Sequence, residues 1–126
     1  MFAFCIWDLK TKTAFFARDR FGQKPLFYHE RDGVLLFASE IKGLLAVGVS
    51  SKPHRDTWLR YLASGSYDDD GSTFFSQVRQ LEPGHSATWS AQAGLRIQRW
   101  YSLADRISEQ NMSIERATEA CRELLV

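Results

Sequence analysis

The chain has 126 residues, 44% of them hydrophobic and 13% aromatic. That is enough apolar material for one modest packed domain, and it excludes a disordered or fibrous chain. A formal net charge of +1, from 16 basic and 15 acidic residues, gives no electrostatic reason to expect nucleic acid, and no apolar run reaches the roughly 20 residues of a membrane span.

Residues 2–9 read as a strand with Phe2, Phe4 and Ile6 on one side and Ala3, Cys5 and Trp7 on the other. Both sides are apolar, the pattern of a strand covered on two faces. Lys10–Thr13 is a polar turn, Ala14–Ala17 a second strand, and Leu26–His29 a third after the Arg18–Lys24 loop. Arg31-Asp32-Gly33 is a hairpin turn with Gly33 suited to a positive φ, and Val34–Ala38 is a fourth strand. Short connections between four short strands predict an antiparallel meander.

A helix is expected from Ser39 or Glu40 to Ala46, and a second one capped by Asp56 with Leu59, Tyr61 and Leu62 as its apolar positions. Asp68-Asp69-Asp70 lacks calcium-loop spacing and reads as a solvated run. Phe74, Phe75, Val78 and Leu81 anchor a short segment before the turn Glu82-Pro83-Gly84. Ser86–Ser90 and Leu95–Tyr101 form a hairpin around Ala93-Gly94, and a polar bridge leads to a last helix from Ser113 with Ile114, Ala117, Cys121 and Leu124 at helical spacing. His29, His54 and His85 are scattered, so no metal site is expected. Cys5 and Cys121 read as buried, reduced thiols of a cytoplasmic protein. Asn111-Met112-Ser113 matches the glycosylation triplet, without a signal peptide to give the match meaning.

The loop Arg18-Asp19-x-x-Gly22-x-x-Pro25 carries its own mechanical reading. Asp19 can accept bonds from loop amides, Gly22 opens a turn closed to other residues, and Pro25 holds Lys24 extended to launch the next strand. Arg18 can pair with Asp19, with Glu40 or with a backbone carbonyl. A structural loop and a ligand-contacting loop both fit these residues.

The combination is more specific than its parts. Phe2-Ala3-Phe4-x-Ile6-Trp7-Asp8, then Ala17-Arg18-Asp19-Arg20-Phe21-Gly22-x-Lys24-Pro25-Leu26-Phe27-Tyr28, then Leu36-Phe37-Ala38-Ser39-Glu40-Ile41-Lys42 closely resemble the glutaminase domain of glutamine-dependent asparagine synthetases. Thr73-Phe74-Phe75, Val78–His85 and Arg99-Trp100-Tyr101 resemble the segment leading toward the synthetase domain. The resemblance implies an α+β fold, part of the αββα sandwich of the amino-terminal nucleophile (Ntn) hydrolase type. It implies residues 1–103 as the carboxy-terminal part of a class II glutamine amidotransferase domain. Residues 104–126 would be a linker and the first, incomplete helix of the synthetase domain.

The resemblance also implies glutamine, aspartate and ATP as substrates of the parent enzyme, with Mg²⁺, and the missing glutaminase and synthetase segments as partners. No catalytic residue is implied for this chain, which is expected to be truncated at both ends and inactive alone. The family's nucleophile is a free terminal cysteine, and Cys5 lies inside an apolar strand. The Ser-Gly-Gly-Leu-Asp-Ser pyrophosphate loop has no counterpart either. Arg18, Asp19, Gly22 and Pro25 remain as a motif loop, and Glu40 as a contact to the synthetase half. Alternatives are a non-catalytic binding remnant and a related amidotransferase with another acceptor. Uncovered apolar faces are expected to drive self-association.

Overall fold

A computed structural model describes residues 1–67, 70–108 and 112–125. Two antiparallel sheets face one another. The first has the order β1–β2–β6–β7, formed by Ala3–Asp8, Thr13–Arg18, His85–Ser90 and Gly94–Arg99. The second has the order β4–β3–β5, formed by Val34–Ala38, Phe27–Arg31 and the two residues Arg79–Gln80. The chain is therefore α+β, with antiparallel strands as expected, but the expected four-strand meander is not what forms. β1 and β2 stay in the first sheet, and the Arg18–Lys24 loop carries the chain across to the second. Rather than supplying consecutive strands of one sheet, the chain contributes to both.

Strand alternation explains the core. Across β1 and β2 the register sets Ala3 opposite Arg18, Cys5 opposite Phe16 and Trp7 opposite Ala14, so these six share a face. Ala14 and Phe16 on that face are buried with Leu26, Leu81 and Ala87, and Cys5, Leu35, Trp89 and Leu95 pack around them. Phe16 meets Phe37 of β4 edge-on, ring centroids 4.9 Å apart. A second cluster of Leu44, Val49 and Val78 lies on the outer side of the second sheet, against Phe27, Leu36 and Ala38. Helix α1 (Ile41–Ala46) supplies Leu44 and forms the layer there.

No such layer covers the outer side of the first sheet among the described residues. β1 was expected to be covered on both faces, yet Phe4 and Ile6 are exposed, Ile6 at 58%. Trp100, Phe2, Phe4 and Phe15 make an open aromatic row with successive centroids 6.3, 5.6 and 6.1 Å apart.

Helix α2 (Arg55–Ser64) starts two residues earlier than expected. His54, not Asp56, is its cap: Nδ1 accepts from the Thr57 N–H at 3.3 Å, and Asp56 sits in the first turn. The His54 N–H donates to the Phe74 carbonyl at 2.9 Å, which pins the cap residue in place. Leu59, Tyr61 and Leu62 are exposed, and the buried position of the helix is Thr57. The hairpin turn agrees with the sequence: Asp32 (φ 52°) and Gly33 (φ 74°) are both left-handed, the signature of a type I′ turn. After a short 3-10 turn, Ala104–Arg106, helix α3 (Ile114–Leu124) starts just after Ser113, close to the expected position, and the Ser113 hydroxyl caps it. Its apolar residues face outward, and Cys121 is exposed rather than buried, while Cys5 is half-buried. Asp68, Asp69 and Asn111 lie outside the described residues.

Candidate functional site

The motif loop leaves β2 at Arg18, and its polar groups turn inward. Arg18 is only 3% exposed. Its Nε donates to the Lys24 carbonyl at 2.8 Å, Nη1 to the Leu81 carbonyl at 2.6 Å and Nη2 to the Gly22 carbonyl at 2.7 Å. With its amide oxygen turned toward the guanidinium, Gln80 adds a further acceptor. The rigid fork of an arginine suits four acceptors arranged about one plane. Of the partners proposed for Arg18, the backbone carbonyls are the ones found.

Asp19, 5% exposed, is the complementary half. One carboxylate oxygen accepts from the amides of Phe21 and Gln23, the other from those of Lys24 and Phe2, all at 3.1 Å. Burial pushes the Asp19 carboxyl up, but the four backbone donors outweigh it and hold the group far below the usual carboxylate range. The backbone of Asp19 is also engaged. Its N–H donates to the Phe2 carbonyl at 2.9 Å, and its carbonyl accepts from Gly22 and Gly84 at 3.2 and 2.9 Å.

Gly22 takes a φ of 65°, and a Cβ there would lie 2.8 Å from both Arg18 Nη2 and Pro83 Cγ. Only glycine meets both demands. Gly84 packs so closely that a Cβ would sit 2.6 Å from the Tyr101 carbonyl. Pro25 is exposed and makes a trans peptide bond, and Leu26 beyond it is buried between the sheets. Arg18, Asp19, Gly22, Leu81 and Gly84 thus form one clamp binding β2, the crossing loop, β5 and the start of β6. The roles of Leu81, Gln80 and Gly84 were not read from the sequence, because they depend on contacts some 60 residues along the chain.

Glu40 is separate from this clamp. It occupies the cap position of α1 without a side-chain cap bond and pairs with Lys42 at 2.6 Å, both side chains largely exposed. Asp70, expected in a solvated run, instead pairs with Arg60 at 3.1 Å, and that bond leads a set that lowers its carboxyl well below the ordinary range.

A recess of about 470 Å³ opens beside the clamp, lined by Phe2, Asp19, Arg20, Phe21, Gln23 and Trp100. Arg20 and Arg106 approach Tyr101, their guanidinium carbons 5.2 and 5.1 Å from the ring centroid. Asp19 has its carboxylate oxygens engaged by four backbone amides, and Arg18 donates to the carbonyls of Lys24, Leu81 and Gly22 and to Gln80. Burial raises the Cys5 thiol, which disfavours the nucleophilic thiolate.

Residues 1–101 match the family described as glutamine amidotransferase domain. The chain belongs to the glutamine amidotransferase family, of the asparagine synthetase type. Glutamine-hydrolysing asparagine synthetase 3 of Bacillus subtilis (strain 168) is 35% identical over 104 residues, covering 82% of this chain and 17% of that protein. Asparagine synthetase 2 of the same organism is 35% identical over 141 residues, covering 99% of the chain and 18% of the relative. Amidase chry2 of Gibberella zeae is 33% identical over 128 residues, covering 99% and 18%. The amidotransferase chain thus spans less than a fifth of the length of these curated relatives.

Among the described residues there is no group of three or more His, Cys, Asp or Glu side chains able to hold a metal ion. Among them, too, no helix is long and apolar enough to cross a membrane.

Proposed function

We propose that this chain is the scaffold portion of a glutamine-dependent asparagine synthetase, acting in the cytoplasm. Residues 1–103 support the glutaminase half, and residues 104–126 lead into the synthetase half. The observation that carries the reading is the Arg18–Asp19 clamp, a motif of the family that here holds two sheets together and has no free reactive group. Glutamine would be hydrolysed, and aspartate amidated with ATP and Mg²⁺, by residues this chain does not supply. The open aromatic row over the first sheet supports a fit against further polypeptide, consistent with an Ntn-type sandwich. Two free cysteines, Cys5 and Cys121, are compatible with a reducing compartment.

The test is a graft. Residues 1–101 replace the matching segment of the Bacillus subtilis relative, and asparagine formation is measured with glutamine and, separately, with ammonia. Activity with both nitrogen donors is the expected outcome. A folded chimera that uses ammonia but not glutamine would overturn the scaffold role. Glu40→Ala in the same chimera tests its contact to the synthetase half: weakened coupling of glutamine hydrolysis to asparagine is expected, and unchanged coupling sinks that assignment. The isolated, tag-free chain should release no ammonia from glutamine.

A second reading is favoured by one finding: the relatives named as amidases match about as well as those named as synthetases. The parent enzyme would then be an amidotransferase with a different acceptor. Aspartate failing to serve in an otherwise active parent enzyme would select it.

A further inference from the structure

Tyr101, two residues beyond β7, is held from several sides. Its N–H donates to the Gly84 carbonyl at 3.1 Å, and Gly84 packs directly against its own carbonyl. Phe21 meets the ring edge-on with centroids 6.0 Å apart, and Trp100 lies 5.9 Å away. Two arginines from distant parts of the chain converge on this fixed ring. The guanidinium carbon of Arg20, in the motif loop, lies 5.2 Å from the ring centroid. That of Arg106, in the 3-10 turn, lies 5.1 Å from it.

Stacking on a ring uses the flat face of a guanidinium and leaves its N–H edge available. Both side chains are exposed, and among the described residues neither has an ion pair or a hydrogen-bond acceptor. Neighbouring acids are already committed. Asp105 pairs with Arg99 at 3.6 Å, and the Asp19 carboxylate is engaged by four backbone amides. The two guanidinium carbons lie no more than about 10 Å apart, which is about one Debye length in ordinary salt. Each positive charge therefore acts on the other, and a bound anion relieves the repulsion.

We propose that Arg20 and Arg106, set in place by the Tyr101 ring, form a receptor for one oxyanion, a phosphate or a carboxylate. The planar fork of each arginine matches the paired oxygens of such a group, which a halide ion does not offer. Stacking restrains two long side chains before the anion arrives, so less freedom is lost on binding. Because Arg20 belongs to the motif loop and Arg106 to the segment beyond β7, the bound anion ties these two parts together. The oxyanion is a dissolved ion or a carboxylate side chain of further polypeptide, and the same donors serve both.

The test is calorimetric titration of the whole chain with inorganic phosphate at fixed ionic strength, with sodium chloride as the control. Saturable binding of one phosphate per chain is expected, and none of chloride. Arg20→Gln and Arg106→Gln should each weaken phosphate binding about tenfold with circular dichroism unchanged. Arg106→Lys keeps the charge but loses the fork, and should weaken binding several-fold. Tyr101→Leu keeps both charges and removes their support, with the same expectation; if it does not fold, the arginine variants decide. No saturable binding, or chloride binding as well as phosphate, overturns the proposal. Parental affinity in either folded glutamine variant, or in Arg106→Lys, also overturns it, because diffuse charge would then suffice. The source is read by placing residues 1–108 in Bacillus subtilis asparagine synthetase 2, a relative that matches 99% of this chain. Phosphate binding retained there supports the receptor with a dissolved ion as its ligand. Binding present in the chain and lost in that chimera supports it with a carboxylate of the surrounding polypeptide.

Discussion

The Arg18–Asp19 clamp and the β1 side of the first sheet are built from one continuous stretch, yet they treat solvent in opposite ways. In the clamp every charged atom has a backbone partner and the residues are almost fully buried. On β1, and on α3 further along, large apolar side chains face outward without an internal partner, as with Ile6 at 58% and Ile114 at 82% exposure. The charged groups of Arg18 and Asp19 are thus engaged within the fold. The β1 surface carries an alternation of apolar residues. A memorable motif can mark what the fold cannot do without, rather than where chemistry occurs.

Three changes probe that contrast. The largest effect should come from Arg18→Lys, which keeps the charge but loses the planar fork and leaves buried carbonyls of Lys24, Gly22 and Leu81 short of donors. At about 1.5–3 kcal/mol for each hydrogen bond to a charged group, a loss of about 3–5 kcal/mol is expected in denaturant unfolding. That is a large share of a domain's total of about 5–15 kcal/mol. A loss below about 1 kcal/mol would break the comparison, because the motif would then not be structural.

The next is a pH effect. The Asp19 carboxyl is held below its ordinary value in the folded chain, so the unfolded chain binds more protons in acid. The stabilisation is complete above the unfolded carboxylate value of about 3.9 and is lost as pH falls through it toward the folded value. Asp19→Asn should lower the midpoint of thermal unfolding at pH 7 and flatten the acid limb of stability against pH. An unchanged acid limb would remove Asp19 from the clamp.

The smallest is Ile114→Glu on the outer side of α3, expected within about 0.5 kcal/mol of the parent, since the side chain touches no core. A marked loss would show that this face is already covered in solution, sharpening the distinction between closed and open regions.

The comparison also explains what could be read in advance. The hairpin turn with Gly33 at positive φ, the start of α3 at Ser113 and the acceptance by Asp19 from the loop amides of Phe21, Gln23 and Lys24 were legible, because each depends on residues within five positions. The switch from the first sheet to the second was not. It requires Arg18 to meet Leu81, and four short strands with short connections look alike whether they form one sheet or two. The cap of α2 was misplaced because Asp56 is the stronger cap residue by type, whereas His54 is held in position by Phe74 from another segment. The two apolar sides of β1 were read correctly as composition. Their covering was not, since a pattern states what a strand would bury and not whether a neighbour is present.

The clamp has a consequence for the order in which the chain can assemble. The bond from Arg18 to Leu81 spans 63 residues, and the one from the Leu95 amide to the Glu30 carboxylate spans 65. During synthesis from the amino terminus, β2 cannot gain its second neighbour until His85–Ser90 has emerged, and Arg18 must wait for Leu81. A ribosome moving at about 5–20 residues per second leaves the β1–β2 hairpin, with its phenylalanines bare, on its own for several seconds. Contacts of such separation also slow folding after release. The nascent hairpin is therefore the point at which a chaperone would gain most by holding this chain.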